Sequence, residues 1–389
     1  MKRFSLSLMS LAALAAATTA HAQSSVTLYG TIDTSITYVH NAQGNANLWA
    51  LGNSSAGDLS GTRWGIKGSE DLGSGLKAIF DLENGFDPSN GRLNQGGRLF
   101  GRQAFVGLSS DSLGTITLGR QYDPLIDLVQ GITADNYFGS VFATAGDVDN
   151  YDNSFRVDNA VKYTSPVWSG LQFELMYSLG GVAGSTGARQ SYSAAVAYNN
   201  GPFSLAGGYF YAANSSASAG PRDPSSGWNS TSDGTFDGPI NSGYQTAHSL
   251  AIARVAGQYV AGPFTFGLGY SNAQYRHDAS SAFGADEKYN TGQGFVNYQA
   301  TNALLVGIGY SYTKSSGDTS ATYHQVSAGA DYSLSKRTDV YLVGAYQHAS
   351  GETGNGSGGA IAAQASVGSY GYGGTSTQEL VSLGLRHKF

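Results

Sequence analysis

The histidines of this chain, the side chains that most often act as general bases, are scattered without catalytic partners. There are seven. Catalysis would need a nucleophile or a second acid held within hydrogen-bonding reach of the base. No histidine stands near Ser or Asp at an informative spacing, and neither a phosphate-cradling glycine motif nor a zinc-ligand spacing is present. We therefore predict no enzyme activity, no cofactor and no metal site.

One acidic segment invites a calcium-loop hypothesis. Asp147-Val-Asp149-Asn-Tyr-Asp152 alternates carboxylates as such a loop begins. A calcium loop also needs Gly at its sixth position and Glu at its twelfth. Here these positions hold Asp152 and Asp158. The segment therefore predicts a polar loop and no dedicated calcium site.

Two charged populations could select solutes instead of reacting with them. Basic residues lie in short runs of alternating apolar and polar character: Arg63, Lys67, Lys77, Arg102, Arg156 and Lys162. Acidic residues crowd the long stretch from Asp123 to Ser154: Asp127, Asp135, Asp147, Asp149 and Asp152. Carboxylates facing guanidinium groups across water create a transverse field that orients dipolar solutes and keeps a constriction hydrated.

The segments that carry these charges are predicted to be β-strands with one apolar face and one polar face. In Thr27 to Ser35, Leu28 and Ile32 point one way and Asp33 points the other, because successive side chains of a strand alternate. After the N-terminal region, no stretch is apolar enough to cross a membrane as a helix. If such strands face lipid, the charged face must line a lumen, since a charge in mid-bilayer costs about 2–4 kcal/mol.

Connections of two lengths alternate strictly along the chain. The seven short ones are Asp71 to Ser74, Asp111 to Leu113, Pro166 to Ser169, Asn199 to Pro202, Ala261 to Gly262, Thr301 to Asn302 and Leu334 to Arg337. The eight long ones are roughly 40–60, 86–97, 123–154, 181–188, 214–246, 274–287, 315–321 and 351–375. They predict an all-β fold: a 16-stranded antiparallel transmembrane barrel with short periplasmic turns, long extracellular loops and an aqueous channel. A soluble barrel would not separate loop lengths this way.

The two ends of the chain support export to a membrane. Lys2 and Arg3 precede an alanine-rich apolar stretch that ends in a small-x-small site at Ala20-His21-Ala22, so residues 1–22 are expected to be a signal peptide and 23–389 the barrel. At the other end Val381, Leu383, Leu385, His387 and Phe389 share one face. We expect Phe389 to anchor the last strand and to act as an assembly signal.

The composition excludes a disulfide-stabilised scaffold and argues against a nucleic-acid-binding protein. The chain has no cysteine, so no disulfide stabilises it. Its net charge is −6, and loss of Lys2 and Arg3 would make it −8. This balance excludes a strong electrostatic case for nucleic-acid binding.

Several motifs together resemble a known family. They are Ser25 to Asp33, Arg63 to Ala78, Gly101 to Leu108, Thr117 to Gln121, Arg156 to Pro166 and Gly384 to Phe389. The chain resembles the trimeric general porins of the Gram-negative outer membrane, of the β-proteobacterial type. The resemblance implies a homotrimer, passive diffusion of ions and small hydrophilic solutes, and a third long loop folded into the lumen. It also implies contacts with outer-membrane lipid, lipopolysaccharide and the barrel-assembly machinery.

The resemblance assigns roles to particular residues. The wall arginines of the family match Arg63, Arg102 and Arg156, and the proposed eyelet adds Lys67 and Lys77. Asp127, Asp135 and Asp147 would face them from the loop. Arg120 falls on the outward face with Ile116 and Leu118, where a subunit interface would accommodate its charge, so we interpret it as a trimer contact.

Other functions stay open from sequence alone. A substrate-specific channel would need a solute-binding site, but the aromatic residues mostly occupy outward or interfacial positions. A surface adhesin could use the 214–246 loop, with Trp228, Phe236 and Tyr244 as anchors. Basic walls favour anions while the loop acids and the net charge favour cations, so the sign of ion selectivity stays open.

Overall fold

The computed structural model describes residues 24–52, 58–214, 228 and 238–389. The expected signal peptide and Phe236 lie outside these residues. Eighteen strands occur in the described part: β1 Ser25–Gln43, β2 Ala46–Leu51, β3 Arg63–Gly73, β4 Leu76–Gly85, β5 Gln103–Ser110, β6 Gly114–Gln121, β7 Val157–Thr164, β8 Leu171–Ser178, β9 Ser191–Asn200, β10 Phe203–Ala213, β11 Ser249–Ala261, β12 Phe264–Arg276, β13 Glu287–Gln299, β14 Leu304–Ser316, β15 Ser320–Ser333, β16 Thr338–Gly354, β17 Ala360–Ala362 and β18 Thr377–Lys388. Two short α-helices are α1 Pro124–Leu128 and α2 Asp135–Phe138. Single 3₁₀ turns cover Gln95–Gly97, Gln130–Ile132, Gly139–Phe142, Ala145–Asp147 and Ser242–Tyr244.

The strands form one closed antiparallel barrel. Each long strand pairs with its neighbours in sequence, and β18 pairs with both β16 and β1. The strands β2 and β17 are short extensions beside β1 and β16, inside predicted loops 40–60 and 351–375. Sixteen strands therefore build the wall, which confirms the predicted count. The two short extensions were missed because they lie in polar, glycine-rich stretches.

The wall has its apolar side outward. In β1, Leu28 and Ile32 are exposed, whereas Asp33 and Ser35 are buried toward the lumen. The same alternation holds in β18, where Leu383 is exposed and its neighbour Ser382 is fully buried. Strand alternation thus gives a lipid-facing exterior and a polar interior, as predicted.

Turn lengths separate the two ends of the barrel. All seven predicted short turns connect strands at one end, among them the two residues between β11 and β12 and the two between β9 and β10. Gly201 and Gly262 take positive φ angles there, of 58° each, which a glycine adopts without steric cost. The long loops lie at the opposite, extracellular end. No helix within the described ranges has the length and apolar character needed to cross a membrane.

The ends of the chain close the wall. Phe389 N–H donates to the carbonyl of Gly30 at 3.0 Å, and Gly30 N–H donates to the carbonyl of Phe389 at 3.2 Å. The Phe389 ring lies against Gly30, where an added Cβ would clash with it. Glycine at this position therefore makes room for the terminal ring.

Extracellular loops fill part of the lumen. Tyr244, from the loop before β11, is fully buried and packs against Phe283 and against Tyr275 and Tyr289 of the wall. Trp228 is also buried, and its indole N–H donates to the carbonyl of Gln245 at 2.9 Å. Two of the three anchors considered for an adhesin surface are thus used inside the protein.

Candidate functional site

The stretch between β6 and β7 folds into the barrel, as predicted. It begins at α1, where Asp123 caps the helix by accepting the Leu125 N–H at 2.8 Å and Pro124 occupies the first turn. A proline suits this position because its missing N–H would have no helical partner. Val129 and Phe138 are completely buried, although they lie in a loop. Their burial shows that the loop packs against the inner wall.

Hydrogen bonds from the wall hold this loop in place. Gln325 of β15 donates through Nε2 to the carbonyls of Val141 and Ala143, at 3.0 and 2.9 Å. From β11, Arg254 donates through Nε to the carbonyl of Asp149 at 2.8 Å. Buried backbone carbonyls are costly when unpaired, so these side chains fix the path of the loop.

Two glycines of the wall leave space for the side chain of Phe138, which projects from the folded loop. Phe138 lies against Gly307 of β14 and Gly329 of β15, where an added Cβ at either glycine would clash with the ring. Phe138 also stacks on Phe142, with ring centroids 4.9 Å apart. The loop thereby covers the β8 to β15 side of the lumen and leaves the opposite side open.

The last long loop adds a second layer above the first. Ser366 accepts hydrogen bonds at its carbonyl from Gly146 N–H at 3.0 Å and from Gln347 Nε2 at 2.9 Å. The Ser369 hydroxyl donates to the Asp152 carboxylate. Both loops therefore limit the width of the lumen.

A polar cavity of ≈ 610 Å³ remains between the folded loop and the wall. Six basic side chains line it: Arg63, Lys67, Arg102, Arg156, Arg386 and Lys388. Six acidic side chains also line it: Asp58, Asp81, Glu83, Asp127, Asp135 and Asp152. These charged residues lie on the side of the lumen formed by β1, β3, β4, β5 and β18.

Glu83 lies at the centre of the basic group. Its carboxylate is 2.7 Å from Arg102 Nε and 3.5 Å from Arg63 Nε, and it accepts the Tyr122 hydroxyl at 2.9 Å. The guanidinium groups of Arg102 and Arg156 lie 5.7 and 5.4 Å from the centre of the Tyr122 ring. Such cation–π contacts orient the arginines while leaving their charge in place.

Lys67 belongs to the same wall and lies further toward the periplasm on β3. Its ammonium is 4.9 Å from the centre of the Tyr29 ring, and the Tyr29 hydroxyl donates to Asp81 at 2.7 Å. The predicted residues Arg63, Lys67, Arg102 and Arg156 are therefore brought together around one cavity.

The loop acids differ from the simple picture of carboxylates facing arginines across water. Asp127 forms an ion pair with Lys162, a basic residue that is itself buried. Asp135 is buried and accepts Gln130 Nε2 at 2.9 Å, and burial raises the pKa of this loop carboxyl to about 6. Asp147 does not line the cavity: it accepts the Asp152 N–H at 2.9 Å, and burial raises its pKa.

Two further predicted residues lie away from the cavity. Lys77 shares the face of Asp81 but stands four positions nearer the turn, about 13 Å along the strand. The predicted outward position of Arg120 beside Ile116 and Leu118 is wrong: the residue is buried, because the pairing of β6 with β7 shifts register between Gly119 and Gln121. Its Nε lies 2.6 Å from the Gly101 carbonyl and a terminal nitrogen 2.7 Å from Asp158. An intrachain carboxylate therefore neutralises this charge, and its role as a trimer contact stays a prediction.

Four residues of the cavity were not among the predicted eyelet residues: Glu83, Tyr122, Arg386 and Lys388. Arg386 donates through Nε to both oxygens of Asp339, at 3.1 Å each, on the polar face of the last strand. Strand alternation predicts that Glu83, Arg386 and Lys388 lie on the polar faces of their strands. Tyr122 offered no such signal, because its position depends on the path of the loop.

Comparisons with known proteins agree with this geometry. A sequence profile of the Gram-negative porin family matches residues 9–352. An outer membrane porin protein of Bordetella pertussis is 33% identical over 395 residues, covering 89% of this chain and 94% of the relative.

Solved structures show the same fold. An anion-selective porin from Comamonas acidovorans superposes with a TM-score of 0.71 at 23% identity, covering 94% of this chain and all of that one. The trimer form of OmpT, an outer membrane protein of Vibrio cholerae, gives a TM-score of 0.64 at 14% identity, covering 94% and 99%.

Proposed function

This chain belongs to the Gram-negative porin family, and we propose that its charged cavity is the constriction that sets the size and charge selectivity of the pore. The protein is an outer-membrane channel for the passive diffusion of ions and small hydrophilic solutes, rather than an enzyme. The observation that carries the proposal is the cluster of Arg63, Arg102 and Arg156 around Glu83, opposite the folded loop.

The charges of the cavity are nearly balanced. Formal charges of the lining residues cancel, and the pairing of Asp127 with Lys162 is matched by that of Arg386 with Asp339, since neither Lys162 nor Asp339 is part of the lining. Burial raises the pKa of Asp135 to about 6, so this carboxyl carries less than a full charge near neutral pH. The relative from Comamonas acidovorans is described as anion-selective. We therefore propose a modest anion preference for this chain.

Reversal potentials across a tenfold salt gradient test the constriction. Arg102→Ala and Arg156→Ala should shift permeability toward cations, whereas Asp127→Asn should shift it toward anions. A unit charge about 6 Å from a passing ion contributes about 0.7 kcal/mol in water, so each change should alter the permeability of cations and of anions about threefold, in opposite directions. Lys336→Ala, in an exposed periplasmic turn, is the matched control. If none of the cavity variants moves the reversal potential, the constriction lies elsewhere.

The assembly is proposed to be a homotrimer. OmpT of Vibrio cholerae, which shares the fold, is described in a trimer form. We propose that Lys77 adds positive charge at the periplasmic mouth of the pore. Asp147 acts inside the folded loop, where its carboxylate accepts the Asp152 N–H. Lipopolysaccharide and the barrel-assembly machinery are the further partners proposed, the latter through Phe389.

A further inference from the structure

The outer wall of β15 and β16 carries two histidines on neighbouring strands, directly opposite each other. His324 of β15 lies in register with His348 of β16, and both side chains are exposed on the outward face. Residues directly opposite in an antiparallel pair have Cβ atoms about 4.5–5.5 Å apart. The two histidines are distant in sequence, so the strand register alone brings their imidazoles side by side.

Tyrosines of the adjacent strand β14 orient His324. The Tyr310 hydroxyl lies 2.7 Å from His324 Nδ1, and the Tyr312 ring lies beside the imidazole, with ring centroids 5.0 Å apart. Histidines that bind a metal ion through one ring nitrogen generally hydrogen-bond through the other, which fixes the orientation of the ring. Nε2 of His324 is therefore the nitrogen available to a metal ion.

The imidazole of His348 is uncommitted. Among residues 24–52, 58–214, 228 and 238–389, no hydrogen bond or ion pair engages this side chain. Its cross-strand neighbour on the other flank is Thr377 of β18, a small and uncharged residue. His348 is thus free to share a ligand with His324.

The charges around the pair are compatible with a bound cation. Glu379 of β18 lies diagonal to His348, two residues beyond Thr377 on the same face. The positive charge of Lys314 lies on the side of the extracellular loop, where Nζ donates to the hydroxyls of Ser320 and Thr322 at 2.9 and 3.1 Å. A carboxylate therefore flanks the pair on the membrane side, and the ammonium is held away from it by other partners.

The pair lies at the outer edge of the lipid-facing belt. Thr338, beside the periplasmic turn, and His348 are ten positions apart on one outward face. At about 3.4 Å per residue this spans about 34 Å along the strand, or roughly 26 Å of height at a tilt near 40°. The apolar belt of such barrels is about 25 Å tall. Water and dissolved ions therefore reach both imidazoles.

Paired imidazoles select the class of ion. Imidazole nitrogen suits Zn²⁺, Cu²⁺ and Ni²⁺, whereas Ca²⁺ and Mg²⁺ need several oxygen ligands. A metal–nitrogen distance of about 2.0–2.1 Å places two nitrogens of a tetrahedral site about 3.3 Å apart. Rotation of the side chains can bring two imidazoles on opposed Cβ atoms to this separation without movement of the strands.

We propose that His324 and His348 form a binding site for a divalent transition-metal ion, of the class of Zn²⁺ and Cu²⁺, on the outer surface of the barrel. The two histidines supply nitrogen ligands, Tyr310 holds one imidazole in place, and water completes the coordination. A bound ion connects β15 to β16 just outside the lipid. The site lies on the opposite side of the wall from the pore, so the inference goes beyond the proposed function. The prediction of no metal site considered only spacings along the chain, which cannot reveal a pair made by strand register.

Electron paramagnetic resonance of the detergent-purified, tag-free protein with added Cu²⁺ tests the site, because nitrogen hyperfine splitting counts the coordinated imidazoles. The parent should bind a Cu²⁺ ion through two nitrogens. His324→Ala and His348→Ala should each remove one nitrogen and weaken Cu²⁺ binding about tenfold or more. Tyr310→Phe keeps both ligands but loses the hydroxyl that orients His324, so it should weaken binding about tenfold.

His387→Ala is the matched control. His387 is also exposed on the outward face, and its Nδ1 lies 2.9 Å from the Thr338 hydroxyl. Its cross-strand neighbours are Ile32 and Thr338, so no histidine stands opposite it. Its loss should leave the two-nitrogen signal and the Cu²⁺ affinity unchanged.

Two results would overturn the proposal. One is a parental Cu²⁺ signal with a single nitrogen ligand. The other is parental Cu²⁺ affinity in both His324→Ala and His348→Ala, which would place the ion on other histidines. Planar-bilayer conductance should be the same in every variant, because all of these side chains lie outside the lumen, so the outcome is independent of the channel proposal.

Discussion

Glu83 shows how a single buried charge can set the balance of a pore. Its carboxylate contacts Arg102 and Arg63 and accepts a hydrogen bond from Tyr122. Surrounding guanidinium groups stabilise the ionised carboxylate, and the carboxylate in turn cancels part of the positive field that a solute meets.

Glu83→Gln should raise the anion preference. The change removes one negative charge and leaves both arginines in the cavity. We therefore expect the permeability of anions to rise and that of cations to fall, each about threefold, as for a unit charge about 6 Å from the ion. Reversal potentials measure it. Glu70→Gln, on the exposed end of β3, is the control. A shift toward cations would show that Glu83 acts by positioning the arginines and not by its charge.

At the scale of elements, the folded loop owes its path to the wall more than to its own helices. The helices α1 and α2 have five and four residues, too short to be stable alone. Gln325 and Arg254 satisfy its carbonyls, and Gly307 and Gly329 admit Phe138. The constriction is therefore a property of the loop and of strands β11 to β15 together.

Gln325→Ala should loosen the constriction. It leaves the carbonyl of Ala143 without its wall donor, at a cost of about 1–3 kcal/mol, while the carbonyl of Val141 still accepts the Ser327 hydroxyl at 2.6 Å. We expect noisier single-channel currents and a higher mean conductance, with the barrel still folded. Gln299→Ala, exposed beside a periplasmic turn, is the matched control. Quiet currents of parental size from Gln325→Ala would show that other contacts suffice.

At the scale of the whole molecule, stability depends on closing the sheet. The strand β18 pairs with β1 over ten positions, which leaves no unpaired edge in the membrane. Phe389 adds two backbone hydrogen bonds to Gly30 and covers it with its ring. A defect at this seam, the pairing of β1 with β18, therefore destabilises the complete barrel.

Deleting Phe389 should lower the yield of folded protein in the outer membrane more than it changes the conductance of molecules that fold. The seam loses the terminal ring and both hydrogen bonds, while the cavity keeps its lining. Heat-modifiable mobility of membrane fractions measures the yield. Phe203→Ala removes an outward ring of similar exposure, 42% against 41%, and should assemble normally. Equal yields from the two variants would argue against a special role for Phe389.

The sequence by itself determined the barrel and the orientation of its wall. Alternation has a period of two, so Asp33 must face away from Leu28 and Ile32, and lipid decides which face is outside. The same rule identified Arg63 and Lys67 as lumenal, and the turn residues between strands set the strand count. Strand alternation and turn composition are local properties, so short segments of the sequence are enough to predict them.

Only the tertiary structure decided how the charges combine. Asp127 forms an ion pair with Lys162, and Arg120 forms one with Asp158. Asp147 accepts a hydrogen bond from Asp152 within the same loop. In each case the folded path of the chain determines which group lies close enough to be the partner. The β2 extension and the position of Tyr122 likewise depend on contacts that no local pattern encodes. Alternation fixes the direction of a strand residue, but the path of a loop is fixed by whichever wall groups satisfy its buried backbone.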